Sequence, residues 1–127
     1  MNNILLVEDN EPLQRAYKTI LSKAGYTVTV ASDGEIALEL VKQQDFKLIL
    51  LDILMPHLDG IGFLEIFRKK EHKGTLVIAF SNLDDAVTVA EARRLGVDDY
   101  LIKANTSPNQ VLYHVERAFS ENKKASS

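Results

Sequence analysis

Four apolar runs in this chain each end in a polar residue that can handle charge: Ile4-Leu5-Leu6-Val7 into Glu8-Asp9, Leu48-Ile49-Leu50-Leu51 into Asp52, Leu76-Val77-Ile78-Ala79-Phe80 into Ser81, and Tyr100-Leu101-Ile102 into Lys103. Runs this short, alternating with amphipathic stretches, predict a parallel sheet with helices on both faces. The carboxyl ends of such strands share one edge, so residues far apart in sequence are expected to meet there. Three carboxylates, a hydroxyl and an ammonium would then line one crevice. That is the inventory of a site that binds a divalent cation and transfers phosphoryl groups.

The segments between these runs read as helices with defined ends. Asn10-Glu11-Pro12 offers a cap and an early proline before Leu13, Tyr17, Ile20, Leu21 and Ala24 at helical spacing, and Gly25 stops that helix. Tyr26 to Val30 alternates as an edge strand should, and Ser32-Asp33-Gly34-Glu35 has the form of a capping box opening the next helix. After Asp52 a loop with Pro56 and Asp59-Gly60 leads to a helix with Phe63, Leu64 and Phe67 inward, ending near Gly74. Asp84-Asp85 favours the start of a helix closed by Gly96. Ser107-Pro108-Asn109-Gln110 combines a capping box with proline at the first helical position, followed by the stripe Val111, Leu112, Val115, Ala118, Phe119. The sum is five strand–helix units in one domain over residues 1–121, with an unpatterned tail over 122–127 expected to fray.

Composition narrows the function classes. With no cysteine the chain has no thiolate chemistry, disulfide or Cys-based zinc site, and a net charge of −3 gives no electrostatic footprint for nucleic acid. The basic clusters Arg68-Lys69-Lys70 and Lys123-Lys124 fall at helix ends, where the dipole favours them. No window is long and apolar enough for a membrane span, and the N-terminus lacks the order of a signal peptide, so a cytoplasmic location is expected. His57, His72 and His114 share no metal-binding spacing, and surface or loop positions are expected for them, His57 lying nearest the crevice.

Ligands of doubly wound sheets bind beyond the strand carboxyl ends, where the strand order reverses. The order 2-1-3-4-5, adopted here by analogy with known sheets, puts that point between the first and third strands, where Glu8-Asp9 and Asp52 stand. Clustered carboxylates raise one another's pKa unless a cation holds them ionised, and Mg²⁺ prefers such oxygen ligands while retaining waters. A carboxylate also serves as a nucleophile toward phosphorus, with a lysine and a metal neutralising the transferring oxygens.

In these features the chain resembles a response-regulator receiver domain of two-component signalling, from Asn3 to about Ser120. The resemblance rests on Glu8-Asp9, on Asp52-Ile53-Leu54-Met55-Pro56 followed by Asp59-Gly60, on Ser81, and on Tyr100-Leu101-Ile102-Lys103. Asp9, Asp52, Ser81 and Lys103 follow one another at intervals of 43, 29 and 22 residues. The resemblance implies the doubly wound, flavodoxin-like (βα)5 fold. It also implies that Asp52 accepts a phosphoryl group from a histidine kinase or phosphotransfer protein. Mg²⁺ would be bound by Asp9, Asp52 and the backbone carbonyl of Leu54, with Glu8 reaching it through water. Ser81 and Lys103 would meet phosphoryl oxygens. Ser81 and Tyr100 would form a switch pair that reshapes the surface of the fourth helix, fifth strand and fifth helix. A downstream protein, or a second copy of the chain, would recognise that surface; the unphosphorylated chain is expected to be a monomer.

Three positions depart from the family's usual residues, one of them Ser81, which stands where threonine is commoner and keeps the hydroxyl but loses a methyl contact. Lys103 is followed by Ala104 where the family has a cis proline, and a non-proline cis bond costs roughly 2.5–4 kcal/mol, so the loop is expected to be either trans and rearranged or strained. Asn82 replaces a common alanine, and its amide either narrows access or hydrogen-bonds a phosphoryl oxygen. Competing readings are a Mg²⁺-dependent aspartyl-nucleophile phosphatase, a flavin carrier and a non-phosphorylated adaptor. The first resembles a pattern with a second aspartate at the position of Leu54, and the second lacks a hydroxyl-rich phosphate loop after the first strand. The adaptor is disfavoured because no essential residue is missing. A free-standing receiver without an output domain is the favoured expectation.

Overall fold

The central apolar runs become fully buried strands because both of their faces are covered. The computed structural model describes residues 2–126, with side chains through residue 122. Its strands are β1 (Asn3–Val7), β2 (Thr27–Ala31), β3 (Leu48–Asp52), β4 (Leu76–Ser81) and β5 (Asp99–Ile102). All pairings are parallel and the order is β2-β1-β3-β4-β5, the order expected by analogy with known sheets. Alternate residues of one strand enter opposite cores: Leu5, Val7, Ile49 and Leu51 on one face, Ile4, Leu6, Leu48 and Leu50 on the other.

The helices are α1 (Glu11–Lys23), α2 (Gly34–Gln43), α3 (Gly60–Phe67), α4 (Ala86–Arg94) and α5 (Pro108–Ser126). Tyr17 and Leu21 of α1 and Val111 and Val115 of α5 fill one core. Ala37 of α2, Phe63, Leu64 and Phe67 of α3 and Ala92 of α4 fill the other. Asn10, Asp59 and Asp85 cap α1, α3 and α4 by accepting from the N–H of Leu13, Gly62 and Thr88. Before α5 the expected box closes in both directions: Ser107 N–H donates to Gln110 Oε1 at 2.7 Å and Gln110 N–H to Ser107 Oγ at 3.3 Å.

Three boundaries differ from the sequence reading. The cap of α2 is Asp33, not Ser32, its carboxylate accepting from Ile36 N–H, because Gly34 lies against Leu58 and fixes where the helix begins. Helix α3 ends at Phe67 rather than near Gly74: Arg68 takes a left-handed conformation (φ 57°) and a short 3-10 turn, Lys69–Glu71, follows. His72 after that turn stacks on Phe67, 4.2 Å between ring centres, anchoring the break. Helix α5 runs on to Ser126, through residues read as an unpatterned tail, since Glu121, Lys123, Lys124 and Ala125 all have good helix propensity without an apolar stripe. Ser127 lies outside the described residues.

Candidate functional site

The sheet register delivers the crevice. Asp52 closes β3 opposite Phe80, and Ser81 closes β4 opposite Ile102, the residue before Lys103. Glu8 follows β1, its N–H continuing the ladder to Ala31 O at 3.0 Å. Lys103 therefore emerges over the ends of three strands. Its Nζ lies 2.8 Å from Glu8 Oε1 and 2.9 Å from Asp52 Oδ2, and 5.0 Å from the centre of the Phe80 ring. Glu8 and Asp52 are buried, whereas Asp9 is exposed at the mouth.

Ligand atoms of Glu8, Asp9 and Asp52 all lie within 4.8 Å of one another. This all-oxygen set fits Mg²⁺ chemistry, because a single ammonium leaves it with excess negative charge and because Glu8 Oε1, though ion-paired, is buried without an aligned hydrogen bond. Burial pushes the carboxyls of both Glu8 and Asp52 above their ordinary range, while the contact with Lys103 pulls them back. Burial works against the charge on Lys103, but the hydrogen bonds to Glu8 and Asp52 outweigh it and raise the lysine's pKa.

The loop after β3 is fixed at both ends. Leu54 N–H donates to Asp52 Oδ1 at 3.0 Å, Gly60 N–H to Ile53 O at 2.9 Å, and Gly34 N–H to Leu58 O at 3.1 Å. The backbone of residue 54 stays beside the carboxylate while the Leu54 side chain points to solvent. A Cβ on Gly34 would stand 2.5 Å from Leu58 O, a contact between α2 and this loop that no sequence pattern announces. His57 is exposed with φ 65°, and His114 Nδ1 lies 3.3 Å from Asp99 Oδ2; neither takes part in the carboxylate cluster.

Ser81 is buried, and both it and Tyr100 engage the backbone of Leu83. Leu83 N–H donates to Ser81 Oγ at 3.1 Å, and the Tyr100 hydroxyl donates to Leu83 O at 2.7 Å. The Tyr100 ring is half-buried against the α2–α3–α4 core rather than turned outward. Asn82 is exposed and its Oδ1 accepts from Ala104 N–H at 2.8 Å. The peptide at Lys103-Ala104 is trans, since the described residues contain no cis bond, and residues Lys103–Asn105 form a 3-10 turn. Of the two outcomes anticipated for that loop, the trans rearrangement is the one observed.

Comparison with known proteins points one way. A family model described as the response regulator receiver domain matches residues 4–116. A probable transcriptional regulator ycf27 of Porphyridium aerugineum is 37% identical over 127 residues, a match covering 94% of this chain and 51% of that protein. The chain thus spans about half the length of the curated relatives it matches. Among solved structures, the Francisella response regulator 1452 receiver domain superposes with a TM-score of 0.85 at 33% identity, covering 96% of this chain and 99% of that one. A CheY-like response regulator receiver domain protein from Methanospirillum hungatei JF-1 reaches a TM-score of 0.91 at 26% identity, covering 98% of both chains.

Proposed function

Because the chain belongs to the response regulator receiver family, we propose that it is a phosphoacceptor switch whose receiver unit spans residues 1–121 and whose acceptor is Asp52. The observation that carries this reading is the buried Asp52 carboxylate held at 2.9 Å by Lys103 with Glu8 and Asp9 beside it. An Asp52 oxygen attacks phosphorus as the P–N bond of a kinase or phosphotransfer-protein phosphohistidine breaks. The electron pair leaves with the imidazole, which takes up a proton, and an acyl phosphate forms.

Lys103 stays beside the new phosphoryl oxygens and Ser81 Oγ donates to one of them, while Asn82 stands at the rim with its Oδ1 engaged by Ala104 N–H. Glu8, Asp9, Asp52 and the Leu54 carbonyl would hold Mg²⁺, which when bound neutralises charge spread over the transferring oxygens. When Ser81 turns toward the phosphoryl group it gives up Leu83 N–H, and because Tyr100 holds the carbonyl of the same residue, the surface of α4, β5 and α5 follows. That surface is offered to a downstream protein partner or to a second phosphorylated copy, in the cytoplasm where the kinase acts.

Incubation with Mg²⁺ and a small acyl phosphate should add one acid-labile phosphoryl group, seen by intact mass, and none in Asp52→Asn. No incorporation into the wild type would leave the adaptor reading; multiple turnover of a phosphate ester would favour the phosphatase.

A further inference from the structure

The bond between Asn82 and Ala104 has no part in the chemistry above, yet it lies where the sheet stops supporting Lys103. The β4–β5 ladder ends at the pair Ser81 and Ile102. One residue beyond Ser81 and two beyond Ile102, Asn82 Oδ1 accepts from Ala104 N–H at 2.8 Å, so a side chain extends the pairing by one more rung. Lys103 sits between the last ladder pair and this added rung. From its own side of the turn, Thr106 Oγ1 donates to Ile102 O at 2.8 Å and Thr106 N–H to Lys103 O at 3.2 Å. Asn82 supplies the tether from the opposite loop. The donor it uses exists because residue 104 is alanine; proline there would offer no N–H.

We infer that Asn82 is a positioning residue. By clasping Ala104 it fixes the backbone after Lys103, and so holds the ammonium at 2.8 and 2.9 Å from Glu8 and Asp52. This rests on the phosphoacceptor reading for its consequence but not for its geometry. Asn82 is exposed and belongs to the loop leading into α4, so the clasp also joins the loop after Ser81 to the turn after β5. Small displacements of a charge-stabilising group cost rate steeply, so an exposed hydrogen bond at this point acts out of proportion to its contribution to stability.

The test has two arms on the full chain. In the first, amide exchange at Ala104 is followed by NMR. Asn82→Ala should speed it at least roughly 10-fold, while Asn82→Asp, which keeps an acceptor oxygen, should preserve protection. In the second, Mg²⁺-dependent phosphorylation by an acyl phosphate is measured in a cycle of Asn82→Ala and Lys103→Ala. Asn82→Ala alone should lower the maximal rate roughly 3- to 10-fold, with the half-saturating donor concentration unchanged, and should cost nothing further once Lys103 is gone. Unchanged Ala104 exchange in Asn82→Ala would overturn the clasp. An undiminished loss in the Lys103→Ala background would show instead that Asn82 acts directly on the donor. If the wild type accepts no phosphoryl group, the proposed function fails, and the exchange arm still decides the clasp.

Discussion

Three carboxylates share the crevice with one ammonium, and burial raises the pKa of two of them, Glu8 and Asp52. Glu8 is raised above its ordinary pKa, so between the unfolded value and that raised value the folded chain holds a proton the unfolded chain has lost. Stability from this source is therefore present at low pH and is lost as pH rises through the folded value. In Mg²⁺-free buffer, the Tm of the wild type relative to Glu8→Gln should fall as pH climbs from the ordinary glutamate range toward neutrality. A flat difference would mean that Lys103 already keeps Glu8 fully ionised. Lys103→Met removes the compensating charge altogether. At neutral pH it should cost up to about 3 kcal/mol in urea denaturation, the low end for breaking a buried pair, because the lysine side chain keeps 18% of its exposure. Added Mg²⁺ should recover more stability in this variant than in the wild type. Asp52 and Lys103 were readable in the sequence because each terminates an apolar run, and a strand's end fixes where its last side chain lies. The partner of Asn82 was not, since it depends on two loops meeting across the sheet edge, and loop paths carry no periodicity.

Helix ends were largely legible where a side chain caps its own backbone. Asn10 and the Ser107–Gln110 box act within three residues, so local spacing contains the whole interaction. Ser107→Ala should accordingly cost about 1 kcal/mol, measured by chemical denaturation, with the site chemistry unchanged. The start of α2 and the end of α3 were misread because distant residues decide them: Leu58 against Gly34, and His72 against Phe67. Gly60 shows the same dependence in its sharpest form. A Cβ there would stand 2.6 Å from Ile53 Cα and 2.7 Å from Asp52 O, both backbone atoms that cannot turn aside. Gly60→Ala should cost about 1–3 kcal/mol and slow phosphorylation of Asp52, since the strain falls on the loop that carries Leu54. A loss of stability with an unaltered phosphorylation rate would show that the loop relaxes without moving the site.

Across the whole molecule, rigidity is unevenly distributed, and the distribution suits a switch. All five residues of β3 are buried, and β1 is buried from Ile4 through Val7. By contrast α4 buries only Ala92, and in β5, the edge strand beside β4, only Leu101 is fully covered. Segments that bury little apolar surface open at lower free energy, so on the proposed reading a signal arriving at Asp52 meets least resistance through Leu83, α4 and β5. The bonds of Ser81 and Tyr100 to Leu83 lead in the same direction. On the proposed reading, phosphorylation or a stable phosphoryl mimic should alter hydrogen exchange mainly within residues 82–105, leaving β1 and the body of β3 unchanged. Replacing Tyr100 by alanine removes one of the two holds on Leu83. It should raise exchange in α4 before any phosphoryl group is added, and shrink the further change that phosphorylation produces. Changes centred instead on β2 and α2 would place the responsive surface on the opposite edge of the sheet and disconnect the Ser81–Leu83–Tyr100 contacts from the output.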